Sequence, residues 1–218
     1  MDRNDSWNEA RRDVCLHAKK MHEAGLVVGS AGNVSRRIGA DHLAITPTSV
    51  AYNILHEDAV SIVDLHTGET VEASHAPSYE LPMHLAVYRS RPDIHAIVHT
   101  HAPYVTTLSV LRRPLPPIID EMMVYFGGPV EVADYALTGT DAVGTNVVRT
   151  LRDRTAVLLA NHGNVCVGRT LDEALHLAIV MESCARVYIE ALRVGDPVPL
   201  PNDSVVAGRR LFETRHRG

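Results

Sequence analysis

Residues 93–104, DIHAIVHTHAPY, place three histidines within seven positions. Side chains on a strand alternate faces, so His95, Ile97, His99 and His101 share one face. At about 3.3 Å per residue, His99 and His101 stand roughly 7 Å apart at Cα. Their rings can then converge on one ion held about 2.0–2.1 Å from each nitrogen. His95 is roughly 13 Å from His99 along the strand and cannot readily share that ion. The pair also suits a satisfied histidine couple at a strand end, so the spacing leaves both readings open.

A catalytic metal site usually has three protein ligands and an open position. His162, in LLANHGNVCVG, closes another apolar run and precedes a glycine that permits close backbone approach. In NHG alone, a turn histidine is equally natural. Glu80 precedes the histidine strand and lies on a segment short enough to fold back against it. A carboxylate there can serve as a general base. An acid in a helix first turn is also favoured by the dipole alone. His84, one turn on, could pair with Glu80 or face the core.

A second group reads either as an anion cradle or as a plain tight loop. GSAGNVS (29–35) offers backbone N–H groups with Ser30, Asn33 and Ser35, and ITPTS (45–49) adds hydroxyls beside a proline turn. No GK[ST] follows, so the loop is not a P-loop. A helix precedes it and a strand follows, so it is not a dinucleotide fingerprint.

The elements that carry these residues can be read from periodicity. Residues 5–24 form an amphipathic helix, with Trp7, Ala10, Val14 and Met21 on one face. Hairpins follow, NVSRRIG with ADHLAITP and AVSIVDL with TVEA. Residues 78–90 form a helix that Pro82 restricts to a start near Ser78 or Tyr79. HAIVHTH is a strand, YVTTLSVL a helix, PVEVADY a strand, AVGTNVVRTLR a helix, and TAVLLANHG pairs with NVCVG. The longest helix spans about 171–194, opened by the capping box TLDE and ended by Gly195 and Pro197. DPVPLPND is extended, and the polar segment after it shows no pattern. Hairpins interleaved with helices predict an α/β fold with a central, mostly antiparallel sheet and helices on both faces.

Composition excludes several classes. Net charge is −5 and no basic run exists, which argues against nucleic-acid binding. No apolar run nears the roughly 20 residues of a membrane span, and the polar start is no secretory signal. Three distant cysteines give no CxxC pair, which points to the cytoplasm. With 218 residues, the chain is expected to form one domain, 1–218, with a core at about 8–197 and a tail at 198–218.

Taken in order, GSAGNVS, ITPTSVAY, APSYE, YRSRPDIHAIVHTHAP, GGPVEVADYALTGT and NHGNVCVG resemble the class II aldolase/adducin family. The resemblance covers roughly residues 8–197. It implies a single-domain α/β/α sandwich, a homotetramer with active sites at subunit interfaces, and one Zn²⁺ per subunit on His99, His101 and His162. Three imidazoles also suit manganese, cobalt or iron. It implies that Glu80 is the catalytic acid/base and that Gly32, Asn33, Thr48 and Ser78 bind a substrate phosphate. Two positions depart from the family pattern inside that pocket: Tyr79 stands for a serine and Ser49 for a glycine. The family's tyrosine proton donor, supplied from a neighbouring subunit, falls at Glu121, with Tyr125 four residues on, and its C-terminal tyrosine has no counterpart.

The implied reaction is cleavage of a ketose 1-phosphate, such as L-fuculose 1-phosphate or a deoxypentulose phosphate. A metal-stabilised enediolate would yield dihydroxyacetone phosphate and an aldehyde. Decarboxylation of a phosphorylated keto acid, epimerisation or dehydration are the family alternatives. A non-catalytic adducin-like scaffold is a further one, disfavoured by the complete histidine and glutamate set.

Overall fold

The computed structural model describes residues 3–216; residues 1–2 and 217–218, the ends of the expected 1–218 unit, lie outside the described residues. Helix α1 (Arg3–Glu23) leads into β1 (Asn33–Ile38) and β2 (His42–Ile45), then β3 (Ser61–Asp64) and β4 (Thr70–Glu72). Next come α2 (Leu81–Ser90), β5 (Ala96–Thr100), α3 (Pro103–Val110) and α4 (Asp120–Phe126). The chain closes with β6 (Val132–Ala133), α5 (Asp141–Leu151), β7 (Ala156–Leu159), β8 (Gly163–Gly168), α6 (Leu171–Val194) and α7 (Asn202–His216).

The strands form one open sheet in the order β4-β3-β2-β1-β5-β8-β7-β6. All pairs are antiparallel except β6 with β7. The two-residue alternation sorts side chains cleanly. Val34, Ala44, Ile62, Ala96, Val98 and Cys166 join α1, α3 and α6 in one apolar layer. Leu43, Ile45, Val63, Ile97, Val165 and Val167 join α2 and α5 in the other. The result is the expected mixed α/β sandwich.

Several boundaries differ from the sequence reading. Helix α2 begins at Leu81, with Glu80 at its N-cap. Ser78 Oγ accepts from the Glu80 N–H at 3.3 Å, which holds Ser78–Glu80 in a turn outside the helix. The PVEVADY strand shrinks to Val132–Ala133, because Val130 instead bridges to Leu115. Helices α4 and α7 were not foreseen. Helix α7 packs on α4 through one buried aromatic, Phe212, while Arg209 donates to the Gly127 carbonyl at 3.0 Å. So narrow an apolar contact leaves little periodicity to read. At α6 half of the capping box forms: Thr170 Oγ1 accepts from the Glu173 N–H at 3.1 Å, while the Glu173 carboxylate accepts from the Arg169 N–H at 2.8 Å, one residue before the N-cap.

Candidate metal centre

His99 stands on β5, the strand at the middle of the sheet, and is fully buried. Its Nδ1–H donates to the Asn164 carbonyl of the neighbouring β8 at 2.8 Å. That bond fixes the tautomer and aims Nε2 at two other groups, His101 Nε2 at 2.9 Å and Glu80 Oε2 at 3.1 Å. A lone pair cannot face a carboxylate without a cation between or upon them, so Nε2 calls for a proton or a metal ion.

His101 lies just past the end of β5. His162 lies on the turn between β7 and β8, where its backbone N–H donates to Leu159 O at 3.0 Å and to Ser109 Oγ at 2.9 Å. Gly163 makes that turn possible: a Cβ there would collide with the Thr100 carbonyl and sit 3.0 Å from His101 Cδ2. The three rings meet edge to face, with centroids 4.7–4.8 Å apart. One ligand atom from each of Glu80, His99, His101 and His162 lies within 4.8 Å of all the others. Three neutral imidazoles and one carboxylate match the donor set of a divalent ion of the zinc type, so the residues fit the group. His95 is exposed at the start of the strand, outside this cluster.

Glu80 is buried and held on both oxygens. Thr138 Oγ1 donates to Oε1 at 2.7 Å, with His162 Nε2 at 3.2 Å. Asn33 Nδ2 donates to Oε2 at 2.7 Å. Burial alone would raise its carboxyl, but the charge and hydrogen bond of His99, with His162 and Thr138, outweigh burial and hold it well below the usual carboxylate range. The partner effect appears at His99: burial opposes charge there, yet the adjacent carboxylate raises its pKa above the ordinary 6.5. Burial and then the His99 charge push His101 down to about 3 and His162 to about 4.

Beside the cluster opens a cavity of about 430 Å³. It gathers Gly32, Asn33, Thr48, Ser49, Ser78 and Tyr79, whereas Ser35, also offered for an anion, lies outside it with its Oγ 2.6 Å from His84 Nδ1. Glu80 and His101 line it on the side of the cluster, and among the described residues no lysine or arginine lines it. Gly32 has φ +73°, and a Cβ there would lie 2.5 Å from His99 O, so the loop can press against β5 only as glycine. Ser49 also adopts a left-handed backbone, φ +60°. Tyr79 is 57% exposed at the rim.

Within a single chain, Glu121 and Tyr125 lie away from this place. Both lie on α4, where Tyr125 packs against His176 with ring centroids 5.1 Å apart and Arg215 over its face. Neither lines the cavity. Three supporting residues escaped the sequence reading: Thr138, Ser109 and Asn164. Thr138 falls within a segment that carried the family resemblance, but nothing in its type or spacing linked it to Glu80.

Residues 12–189 match the family described as Class II Aldolase and Adducin N-terminal domain. The chain is 37% identical to the 5-deoxy-D-ribulose 1-phosphate aldolase of Bacillus thuringiensis serovar kurstaki, over 93% of this chain and 95% of that one. It is 38% identical to the L-fuculose phosphate aldolase of Escherichia coli O6:H1, over 89% of this chain and 88% of that one. A solved L-fuculose 1-phosphate aldolase superposes with a TM-score of 0.89 at 34% identity, covering 94% of this chain and 96% of the other.

Proposed function

The chain belongs to the class II aldolase and adducin N-terminal domain family and is a class II aldolase; on that premise we propose that it uses zinc to cleave a ketose 1-phosphate into dihydroxyacetone phosphate and an aldehyde. A 5-deoxypentulose 1-phosphate or L-fuculose 1-phosphate is the substrate class, as the two relatives above suggest. The observation that carries the reading is the convergence of three histidines and Glu80 beside a polar cavity.

His99, His101 and His162 would hold the ion. When bound, a divalent ion polarises the substrate carbonyl and stabilises the negative charge left by C–C cleavage. Every other task falls to the chain. Glu80 moves the proton at C1, and Thr138 and Asn33 orient its carboxylate. The phosphate meets only neutral donors, namely the hydroxyls of Thr48, Ser49 and Ser78, the Asn33 amide and the glycine-loop N–H groups. Tyr79 narrows the rim on that side.

The chain works as a homotetramer in the cytoplasm, with each site completed across a subunit boundary. Exposed Val28, Tyr79, Tyr135 and Leu137 support the tetramer, since large apolar side chains gather in the segments that form and flank the site. Cys15, Cys166 and Cys184 are buried and unpaired, which suits a reducing compartment. No helix among the described residues is long and apolar enough to cross a membrane.

The test is hydrogen–deuterium exchange at C1 of dihydroxyacetone phosphate in D₂O, followed by NMR on the zinc-loaded protein with no aldehyde added. Exchange is expected, and Glu80→Gln is expected to slow it by about 10²- to 10⁴-fold while zinc stays bound. Zinc-loaded protein that exchanges nothing would overturn this reading and favour decarboxylation of a phosphorylated keto acid.

A further inference from the structure

Beneath α2 a buried polar chain runs on from Asn33 through three residues that have no part in the reaction above, Ser35, His84 and Tyr88. Asn33, Ser35, His84 and Tyr88 are all buried, His84 and Ser35 completely. His84 Nε2 lies 2.5 Å from Asn33 Oδ1, and its Nδ1 lies 2.6 Å from Ser35 Oγ. The Tyr88 hydroxyl donates to the Ser35 carbonyl at 3.0 Å.

Donors and acceptors follow by elimination. A carboxylate only accepts, so Asn33 must present its NH₂ to Glu80. That NH₂ donates to Glu80 Oε2 at 2.7 Å and to Ser78 Oγ at 3.1 Å. The amide oxygen therefore faces His84, and His84 Nε2 must carry its hydrogen. In the neutral ring Nδ1 is then a lone pair, and Ser35 donates to it. With the amide flipped, its oxygen would face the carboxylate, a repulsive contact, and its NH₂ would find an acceptor only if His84 moved its hydrogen to Nδ1. The Asn33 amide and the His84 ring are thus matched in one orientation, with Tyr88 able to donate to Ser35 O at 3.0 Å or Oγ at 2.9 Å, and the His84 Nε2–H supports the amide orientation that serves Glu80.

We propose that His84 is a positioning residue for Glu80: its Nε2–H fixes the Asn33 amide, whose NH₂ ties the base to the Ser78 hydroxyl of the anion cavity. The proposal rests on reading Glu80 as the proton-transfer group. It makes one amide the joint between anion binding and the base, so an anion that engages Asn33 or Ser78 also acts on the Glu80 carboxylate.

The test is a double-mutant cycle on the zinc-loaded protein, read as C1 exchange of dihydroxyacetone phosphate. His84→Phe should lower the saturating rate by about tenfold, the effect of losing one oriented buried hydrogen bond. Metal stoichiometry should hold, and His84→Gln, which restores an N–H donor, should recover most of the rate. In an Asn33→Ala background, His84→Phe should cost less than about twofold, because the group it acts through is gone. Equal costs in both backgrounds, or loss of metal in His84→Phe, would overturn the proposal.

Should His84→Phe not fold, Ser35→Ala takes its place in the cycle. It frees the ring to adopt the other tautomer, and the expected loss is about threefold, again only when Asn33 is present. No loss counts against the proposal. If the parent protein exchanges no C1 proton, the reading of Glu80 fails by itself. Positioning is then decided by the Asn33 side-chain amide in ¹⁵N NMR. Solvent exchange about tenfold faster in the His84 or Ser35 variant supports the tie, and an unchanged rate refutes it.

Discussion

The histidine cluster and the cavity beside it share Glu80 but are built differently. The cluster is anchored on the sheet, with His101 just past the end of β5 and His162 on the tight turn between β7 and β8. His99 sits in a β-ladder with its Nδ1 committed to Asn164, and Gly163 presses the His162 turn against Thr100. The cavity grows out of loops. Val28, Gly29 and Ser30 are exposed, and Ser49 adopts a backbone better suited to glycine. Strand-borne groups are held by every bond of the ladder around them, whereas loop-borne groups can change without disturbing it. The difference teaches where this chain can vary: both departures from the family pattern in the substrate pocket, Ser49 and Tyr79, lie in the cavity, and none lies in the cluster.

The sharpest way to break that contrast is at His162. His162→Ala should weaken zinc binding by more than about a hundredfold, beyond what loss of an outer partner costs, and leave the fold intact. Metal analysis after dialysis reads this directly. Zinc retained at one per chain, with only sugar binding lost, would move His162 from the cluster to the cavity.

The next effect is set by pH. The raised pKa of His99 means that a proton occupies Nε2 until pH exceeds a value above 6.5, whereas His101 at about 3 and His162 at about 4 are already neutral. Zinc must displace that single proton. Affinity should therefore fall roughly tenfold per pH unit as pH drops below the His99 value, and level off above it. Competition titrations with a chelator from pH 5.5 to 8.5 check the slope. A flat profile would mean that Glu80 does not charge His99.

Cavity changes should act more gently. Tyr79→Ser should tighten binding of a phosphorylated ketose severalfold, about 1 kcal/mol, by clearing the rim and adding a hydroxyl. Calorimetry with dihydroxyacetone phosphate reads this, and weaker binding would make Tyr79 part of the site. Ser49→Gly should be the smallest. Relief of the left-handed backbone, less the added entropy of the unfolded chain, leaves a gain of about 0.5–1 kcal/mol. Urea denaturation measures it, and a loss would show that the serine side chain holds the loop.

The same division governs what could be read in advance. Alternation along HAIVHTH put His99 and His101 on one face and left His95 out, because strand geometry is periodic and local. The helices α1, α5 and α6 were legible through their apolar stripes. What escaped is what depends on distant partners. Thr138 reaches Glu80 across 58 positions, and Asn164 reaches His99 across 65. His84 was readable as a core residue, but its tie to Glu80 runs through Asn33, 51 positions away. Helix α7 is held largely by Phe212 and by Arg209, which pairs with Asp153, and so carries almost no pattern of its own.

An open sheet of eight strands has two free margins, and both are poor templates for another chain. At one side β4 is three residues long, exposed, and set out of step with β3 between Ile62 and Val63, with Glu72 drawn away to Arg11. At the other, β6 offers only Val132 and Ala133 before the backbone departs. Short, charged and irregular margins keep strands of neighbouring molecules from adding on, so the sheet ends where the fold ends and resists growing into a fibre.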